Sequence, residues 1–390
     1  MARSVSMAVL LAALVVATVV PVGIAAAAET PYSHDGRDCS FPVTITDATG
    51  TEVTVSEQPD RVVVLGASAA QTTWELGAED RVVGIDAFST YLEGAESVPV
   101  VSGGIGRVDY EAALNQSPDL VIVAGNSYTT DVAAEFRRAN VTTFAMPDAG
   151  SIEGVYNKTY TFGQLLGACG AAHQTVTDMR ERVETVRAAV EGEEQPSVFV
   201  DFGGVRGESA RYSSGPETFI GDLVATAGGA NIVANGNFST SFPQVSNEFI
   251  LSQDPSWIIV TYTPGSSFGP STPAEARAAV RNVSVFQETT AVEEGQIIAV
   301  NANNFAQPAP RLVLALETIV KQLHPEAYEA ANQTTTTTTT VTSTQTTTQT
   351  TAAQTSTTAP TTSGDGGPGF GLLGAGVAIA VVAGLLLHRD

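Results

Sequence analysis

Gly66-Ala67-Ser68-Ala69-Ala70 follows the apolar run RVVVLG and precedes a helical stretch, the place where a nucleophile elbow would stand. Its fifth residue is Ala where an elbow carries Gly. A serine nucleophile also needs a base within hydrogen-bond reach. Setting aside His388 at the C-terminal end, His34 precedes the patterned region, His173 falls in a long helical run and His324 ends another helix. None has an evident place beside Ser68. A surface hydrolase using Ser68 is therefore an alternative, with Ser68 otherwise a helix N-cap or a hydroxyl offered to a ligand. The same scatter of His argues against a transition-metal centre, which gathers His and carboxylates. Gly103-Gly104-Ile105-Gly106 reads as a turn and not as a phosphate cradle. No catalytic residue, cofactor or metal ligand is assigned.

A second set of residues suits binding. Ligands of open α/β sheets sit outside the C-terminal ends of the strands. There the chain places Ser68, Tyr91 and Asn126-Ser127-Tyr128 in its first half, and Phe202, Arg206, Tyr212, Tyr262 and Asn303-Asn304-Phe305 in its second. Rings supply contact area and amides orient, which fits a bulky, partly apolar, oxygen-rich complex. Trp257, inside a strand, reads as core.

Those strand ends must be held by a scaffold, and its plainest part is residues 171–191, AAHQTVTDMRERVETVRAAVE. Ala172, Val176, Met179, Val183, Val186 and Val190 recur at helical spacing, with Asp178, Arg180, Glu181, Glu184 and Arg187 opposite and no Gly or Pro inside. Such a helix reaches roughly 31 Å at 1.5 Å per residue. It is either a bridge between two lobes or a surface helix of one larger domain. Before it, a hairpin (41–55) leads into strands at 61–66, 81–86, 118–123 and 141–145, separated by helices at 69–76, 110–115 and 131–139. A helix at 151–166 follows. After the long helix the plan repeats, with strands at 197–203, 257–260 and 296–300 and helices at 217–226, 247–252, 273–279 and 310–323. Apolar strands alternating with helices predict parallel sheets covered on both faces. QSPDLVIVAG and SQDPSWIIVTY look like copies of one helix–turn–strand unit.

The ends carry other signals. Residues 1–28 hold Arg3, an apolar run at 7–20 and small residues at 25–28, the pattern of a secretory signal. Residues 333–363 form a Thr-rich stalk, suited to O-glycosylation and poor in core-forming residues. Gly364 to Asp390 hold Pro368-Gly369-Phe370, an apolar run and a basic end, which resembles the C-terminal sorting signal of archaeal surface proteins. That resemblance implies a tether outside the cell, by the span itself or by a lipid that replaces it. Net charge is −23, with two lysines, Lys158 and Lys321, among 18 basic residues. Such a surface suits strong brine and repels nucleic acid. Cys39 and Cys169 suggest one disulfide in an oxidising compartment, two buried thiols being the other reading. Asn-x-Ser/Thr sequons begin at Asn115, Asn140, Asn157, Asn237, Asn282 and Asn332.

PDRVVVLGASAAQTTWELGAEDRVVGID, SPDLVIVAG, SSGPETFIGDLVATAGGANIV and FPQVSNEFILSQDPSWIIV, in that order, resemble substrate-binding proteins of ABC importers for iron–siderophore complexes and cobalamin. The resemblance runs through residues 41–328. It implies an α/β fold of two lobes, 39–150 and 196–330, with mostly parallel sheets covered by helices. A helical connection, 151–191, would join them through one long α-helix at 171–191. It implies a non-enzymatic, monomeric receptor that captures a siderophore or corrinoid and delivers it to ABC permease and ATPase subunits. In that family one surface Glu on each lobe docks with the permease, and the motifs place these at Glu111 in DYEAAL and Glu248 in FPQVSNEFIL. A non-catalytic surface adhesion protein is the remaining alternative.

Overall fold

The Val-rich run of the first lobe becomes a strand whose successive residues face opposite cores. In β3 (Val62–Leu65) Val62 and Val64 join the cluster under the hairpin and α4, while Val63 and Leu65 join a second cluster with Val132 and Phe136. A strand buried on both faces has no polar alternation to display, which is why the sequence reads as a continuous apolar run. The computed structural model describes residues 39–333 apart from 104–106, 125–128, 205–208 and 268. The signal segment, the stalk past Gln333, the sorting signal at Pro368, Gly369 and Phe370, and the residues Asn126, Tyr128 and Arg206 lie outside the described residues. No described helix is long and apolar enough to cross a membrane.

The chain opens with an antiparallel hairpin, β1 (Val43–Thr46) and β2 (Glu52–Val55), turning at Gly50 with φ 77°. Asp47 in that turn accepts from the backbone of Thr49, Thr51 and Ala145 and pairs with Arg137, which fastens the hairpin to the first sheet. After β3 come α1 (Ala67–Glu75), β4 (Val82–Asp86), β5 (Val100–Ser102), α2 (Tyr110–Asn115), β6 (Leu120–Val123), α3 (Thr129–Arg138) and β7 (Thr143–Ala145). The strands form one parallel sheet in the order β5-β4-β3-β6-β7. β5 was not expected from the sequence: it has three residues and follows Pro99, too short for a periodic signal.

Two helices then cross between the lobes. α4 (Ile152–Leu166) runs toward the first lobe and α5 (Cys169–Val190) runs back beside it. Their antiparallel register is fixed by two contacts. A Cβ on Gly163 would stand 2.6 Å from that of Ala172, and Arg180 reaches Glu153 at 3.0 Å. The expected stripe on α5 is buried, with Ala189 in the deepest place at its end and Val190 only partly covered. Ala172 packs into the first lobe's core; Val176, Met179, Val183 and Val186 pack into the second's. α4 divides the same way, with Ile152, Val155 and Tyr156 in one core and Phe162, Leu165 and Leu166 in the other. The long helix is therefore a bridge, and it has a partner. Cys39 and Cys169 are bonded, Cα atoms 5.5 Å apart, which ties the start of the fold to the start of α5.

The second lobe contains β8 (Ser197–Asp201), β9 (Ala210–Tyr212), α6 (Phe219–Thr226), β10 (Ala230–Asn231), β11 (Gln244–Ser246), α7 (Asn247–Gln253), β12 (Trp257–Tyr262), α8 (Pro273–Arg281), α9 (Thr290–Glu293), β13 (Ile297–Asn301), α10 (Ala302–Phe305) and α11 (Leu312–Leu323). Its parallel sheet has the order β10-β8-β12-β13, and alternate residues again face two cores: Ile259 and Ile298 one, Ile258 and Ile297 the other. β9 and β11 make a separate antiparallel pair, held by a buried Arg211–Asp201 ion pair with bonds of 2.6 and 2.7 Å. The arginine also lies 4.8 Å over the Phe286 ring. Past α11 the chain breaks at His324 and resumes as helix at 325–333.

Candidate functional site

A cavity of about 690 Å³ lies at the C-terminal ends of the strands, walled by both lobes. Gly66, Ser68, Asp86, Phe88 and Tyr91 line it from the first lobe; Thr263 to Ser266, Asn303, Gln307 and Pro308 line it from the second. This is where open α/β sheets place ligands, and its size is ordinary for a small-molecule site. Gly66 ends β3 with φ 108°, and a Cβ there would stand 2.4 Å from the Cβ of Ala124. Only glycine lets the β3–α1 turn come so close to the end of β6.

Asp86 is the buried organiser of the first wall. Its carboxylate accepts from Gly66 N at 2.5 Å, Phe88 N at 2.7 Å and Ser89 Oγ at 3.1 Å. Burial pushes its pKa up, and those hydrogen bonds pull it down. The group thus fixes both the turn that carries Ser68 and the short helix that carries Phe88. Phe88 is 57% exposed, a large ring left open at the cavity wall. Tyr91 is held by the Gln71 amide, whose Nε2 donates to its hydroxyl at 2.7 Å and to the Asn303 carbonyl at 2.8 Å. The phenol accepts that bond and keeps its own proton to donate; burial raises its pKa, so it stays protonated at neutral pH.

One face of α1 carries a polar stripe across to the second lobe. Ser68, Gln71 and Glu75 stand at helical spacing. Gln71 reaches Asn303; Glu75 receives Arg311 Nε at 2.5 Å. Ser68 Oγ accepts from Lys158 Nζ at 2.8 Å, and the same nitrogen donates to the Pro308 carbonyl at 3.1 Å. Burial drives the Lys158 amine down to about 7, against a smaller upward pull from Asp148.

Of the residues expected in a ligand site, Ser68, Tyr91 and Asn303 line the cavity together. Phe202, Tyr212 and Tyr262 do not. Phe202 is half-buried against the core, 6.3 Å from the Phe242 ring; Tyr212 is exposed on β9; Tyr262 packs on the outer core of its lobe. Phe305 is a correction: it is fully buried and belongs to the core, because α10 turns that ring inward. Ser68 is a correction of another kind. α1 begins at Ala67, so its N-cap is Gly66, and the serine side chain caps nothing. The basic group in contact with Ser68 is Lys158 and not a His. Asp86, Phe88 and Lys158 were missed altogether. Asp86 ends a strand, a position that could have drawn notice; nothing marks a single lysine within a helix.

Glu111 and Glu248 are both exposed, each in the first turn of a short helix capped by a side chain, Asp109 in α2 and Ser246 in α7. Each precedes its following strand by the same interval, 111 to 120 and 248 to 257. Six residues on from each, Ser117 and Asp254 adopt positive φ, 48° and 39°. The two units are one device built twice.

Residues 62–303 match the family profile described as "periplasmic binding protein". The chain belongs to that family. A relative 41% identical over 317 residues, spanning 80% of this chain and 82% of its own, is the "Cobalamin-binding protein" of Halobacterium salinarum. The "Vitamin B12-binding protein" of Yersinia pestis is 24% identical over 268 residues, 69% of this chain and 88% of the relative. Among solved structures, the vitamin B12 binding protein of Vibrio cholerae aligns with a TM-score of 0.56 at 20% identity, covering 70% of this chain and 98% of that one. An Fe3+-hydroxamate transport protein from Saccharomonospora viridis aligns at 0.59 with 26% identity, covering 73% and 99%. These relatives are binding proteins and not enzymes, and the two-lobed α/β fold with parallel sheets is theirs.

Proposed function

We propose that this chain is the receptor of an ABC importer, taking a cobalamin-type corrinoid into the cleft and passing it to a membrane permease. The observation that carries the reading is the two-walled cavity at the strand ends, in a chain 41% identical to a cobalamin-binding protein. Phe88 and Tyr91 offer ring area to a macrocycle, and Tyr91, Ser68 and the Asn303 loop offer the few polar contacts that orient it. A ferric siderophore or haem would use the same wall, and these are the competing ligands to test.

Glu111 and Glu248 are the proposed contacts with the permease, their matched placement giving each lobe one acidic knob. Charge pairing at an interface rim sets orientation and on-rate more than affinity. Replacing both by Ala is expected to leave ligand affinity intact and to abolish uptake in cells; unchanged uptake removes this role from them. The signal at 1–28 and the sorting signal at Pro368-Gly369-Phe370 support a monomer held outside the cell membrane, with ATPase subunits on the other side. Asn115, Asn140, Asn157, Asn237, Asn282 and Asn332 are all exposed, which suits glycosylation; Asn157 lies within α4 with Thr159 of its sequon buried. Few lysines and an excess of acids support a brine-adapted surface.

Equilibrium dialysis against cyanocobalamin, a ferric hydroxamate siderophore and haem tests the ligand. Saturable one-to-one binding of cyanocobalamin is expected. Binding of haem or siderophore alone moves the assignment to that ligand, and binding of none overturns the receptor reading.

A further inference from the structure

Lys158 is 4% exposed in the middle of α4, a place where an apolar side chain of similar length would cost nothing in desolvation. It touches two groups, Ser68 Oγ at 2.8 Å and the Pro308 carbonyl at 3.1 Å. Both of those residues line the cavity, one from each lobe, while the amine stands directly behind them. Gln71 also meets both walls, through the Tyr91 hydroxyl and the Asn303 carbonyl, but its amide does not titrate.

A charged amine offers three protons and no lone pair; a neutral one offers two protons and a lone pair. The Pro308 carbonyl accepts in either state. Ser68 is the partner whose role changes. Beside the ammonium its oxygen must accept, which leaves its own proton for the cavity. Beside the neutral amine it can donate to nitrogen, and it then shows the cavity only lone pairs.

We infer that Lys158 is a positioning residue of the cleft: its amine bridges Ser68 and Pro308 across the lobes and sets whether the Ser68 hydroxyl meets a ligand as donor or acceptor. For a corrinoid, which rests on the function proposed above, a donating Ser68 would hold the carbonyl of a peripheral carboxamide. The switch falls in the neutral range, since burial lowers the amine to about 7 and Asp148, ahead of α4, raises it. The carboxylates on neighbouring elements are engaged elsewhere: Glu75 on α1 holds Arg311, Glu153 on α4 holds Arg180, and Asp222 on α6 accepts from Ile152 N. His173 on α5 lies 6.5 Å from the Tyr160 ring, its Nδ1 buried without a hydrogen-bond partner.

The chain has two lysines, so protein labelled with 13C at lysine Cε gives two signals, and Lys158→Met assigns them. One signal is expected to titrate between about pH 6 and 8, and Ser68→Ala to move its midpoint down by removing an acceptor of the charged form. Cyanocobalamin does not itself titrate in this range. Its affinity is expected to fall about fivefold from pH 6 to 9, the worth of one hydrogen bond. That slope should vanish in Ser68→Ala and in Lys158→Met. Lys158→Arg, which stays charged, should hold the low-pH affinity throughout. A lysine signal flat below pH 9, a midpoint indifferent to Ser68→Ala, or wild-type and Ser68→Ala affinity profiles that coincide would overturn the inference. If cyanocobalamin does not bind at all, the ligand assignment fails separately, and the lysine titration with its response to Ser68→Ala still decides the pairing.

Discussion

The crossing pair α4 and α5 and the stripe along α1 both connect the lobes, in opposite materials. The crossing pair is apolar and continuous with the chain: Phe162 and Leu165 sit in one core, Val176, Met179 and Val183 in the other, and the disulfide closes one end. The α1 stripe is polar and made of three separate links, through Ser68, Gln71 and Glu75. Apolar burial is non-directional and holds across pH and salt, so the first connection resists bending. Hydrogen bonds are directional and each contributes little net stability, so the second sets how the walls of the cleft face one another.

The apolar connection is most exposed to disruption at the disulfide. It closes a loop spanning 130 residues, so replacing Cys39 and Cys169 by Ser should cost roughly 4–5 kcal/mol in denaturant unfolding. A loss under about 1 kcal/mol would show that the first lobe's entry segment needs no tether. Met179→Ala removes a fully buried side chain from the crossing pair and should cost about 2–5 kcal/mol with the cleft's ligand preference unchanged.

Lys158 comes next, and its sign is opposite to that of a salt bridge. Its folded pKa, about 7, lies below the ordinary 10.5. Below pH 7 both folded and unfolded chains hold the proton. Between 7 and 10.5 only the unfolded chain does, so this group makes stability rise with pH, by up to about 1.4 kcal/mol per unit. Unfolding of wild type and Lys158→Met at pH 6 and pH 9 should show that rise in the wild type alone. The smallest effect is Arg311→Ala. Arg311 and Glu75 keep about a third of their side-chain surface in solvent, so losing the pair should cost less than about 1 kcal/mol. It should instead loosen the cleft, which hydrogen exchange at the α10–α11 loop would detect.

The crossing helix was legible because its stripe repeats at helical spacing for 21 residues without Gly or Pro. The sheets were legible because strands buried on both faces are unbroken apolar runs. Glu111 and Glu248 were legible only through the family's motifs, in DYEAAL and FPQVSNEFIL, and not from spacing. What failed to show has physical reasons. β5, β9 and β11 have three residues each, below the length at which alternation can be counted. Phe305 stands at a strand end as a ligand contact would, but position along the chain does not say which way a ring turns. Lys158 meets Ser68 across 90 residues of sequence, and no local pattern announces a buried lysine.

Small-angle scattering with and without saturating cyanocobalamin puts the two connections to the test together. Two helices and three polar links that hold the lobes predict a radius of gyration nearly unchanged by ligand, with wild type and Arg311→Ala alike to within a small difference. A marked contraction on binding, as from lobes swinging about a hinge, would contradict the account.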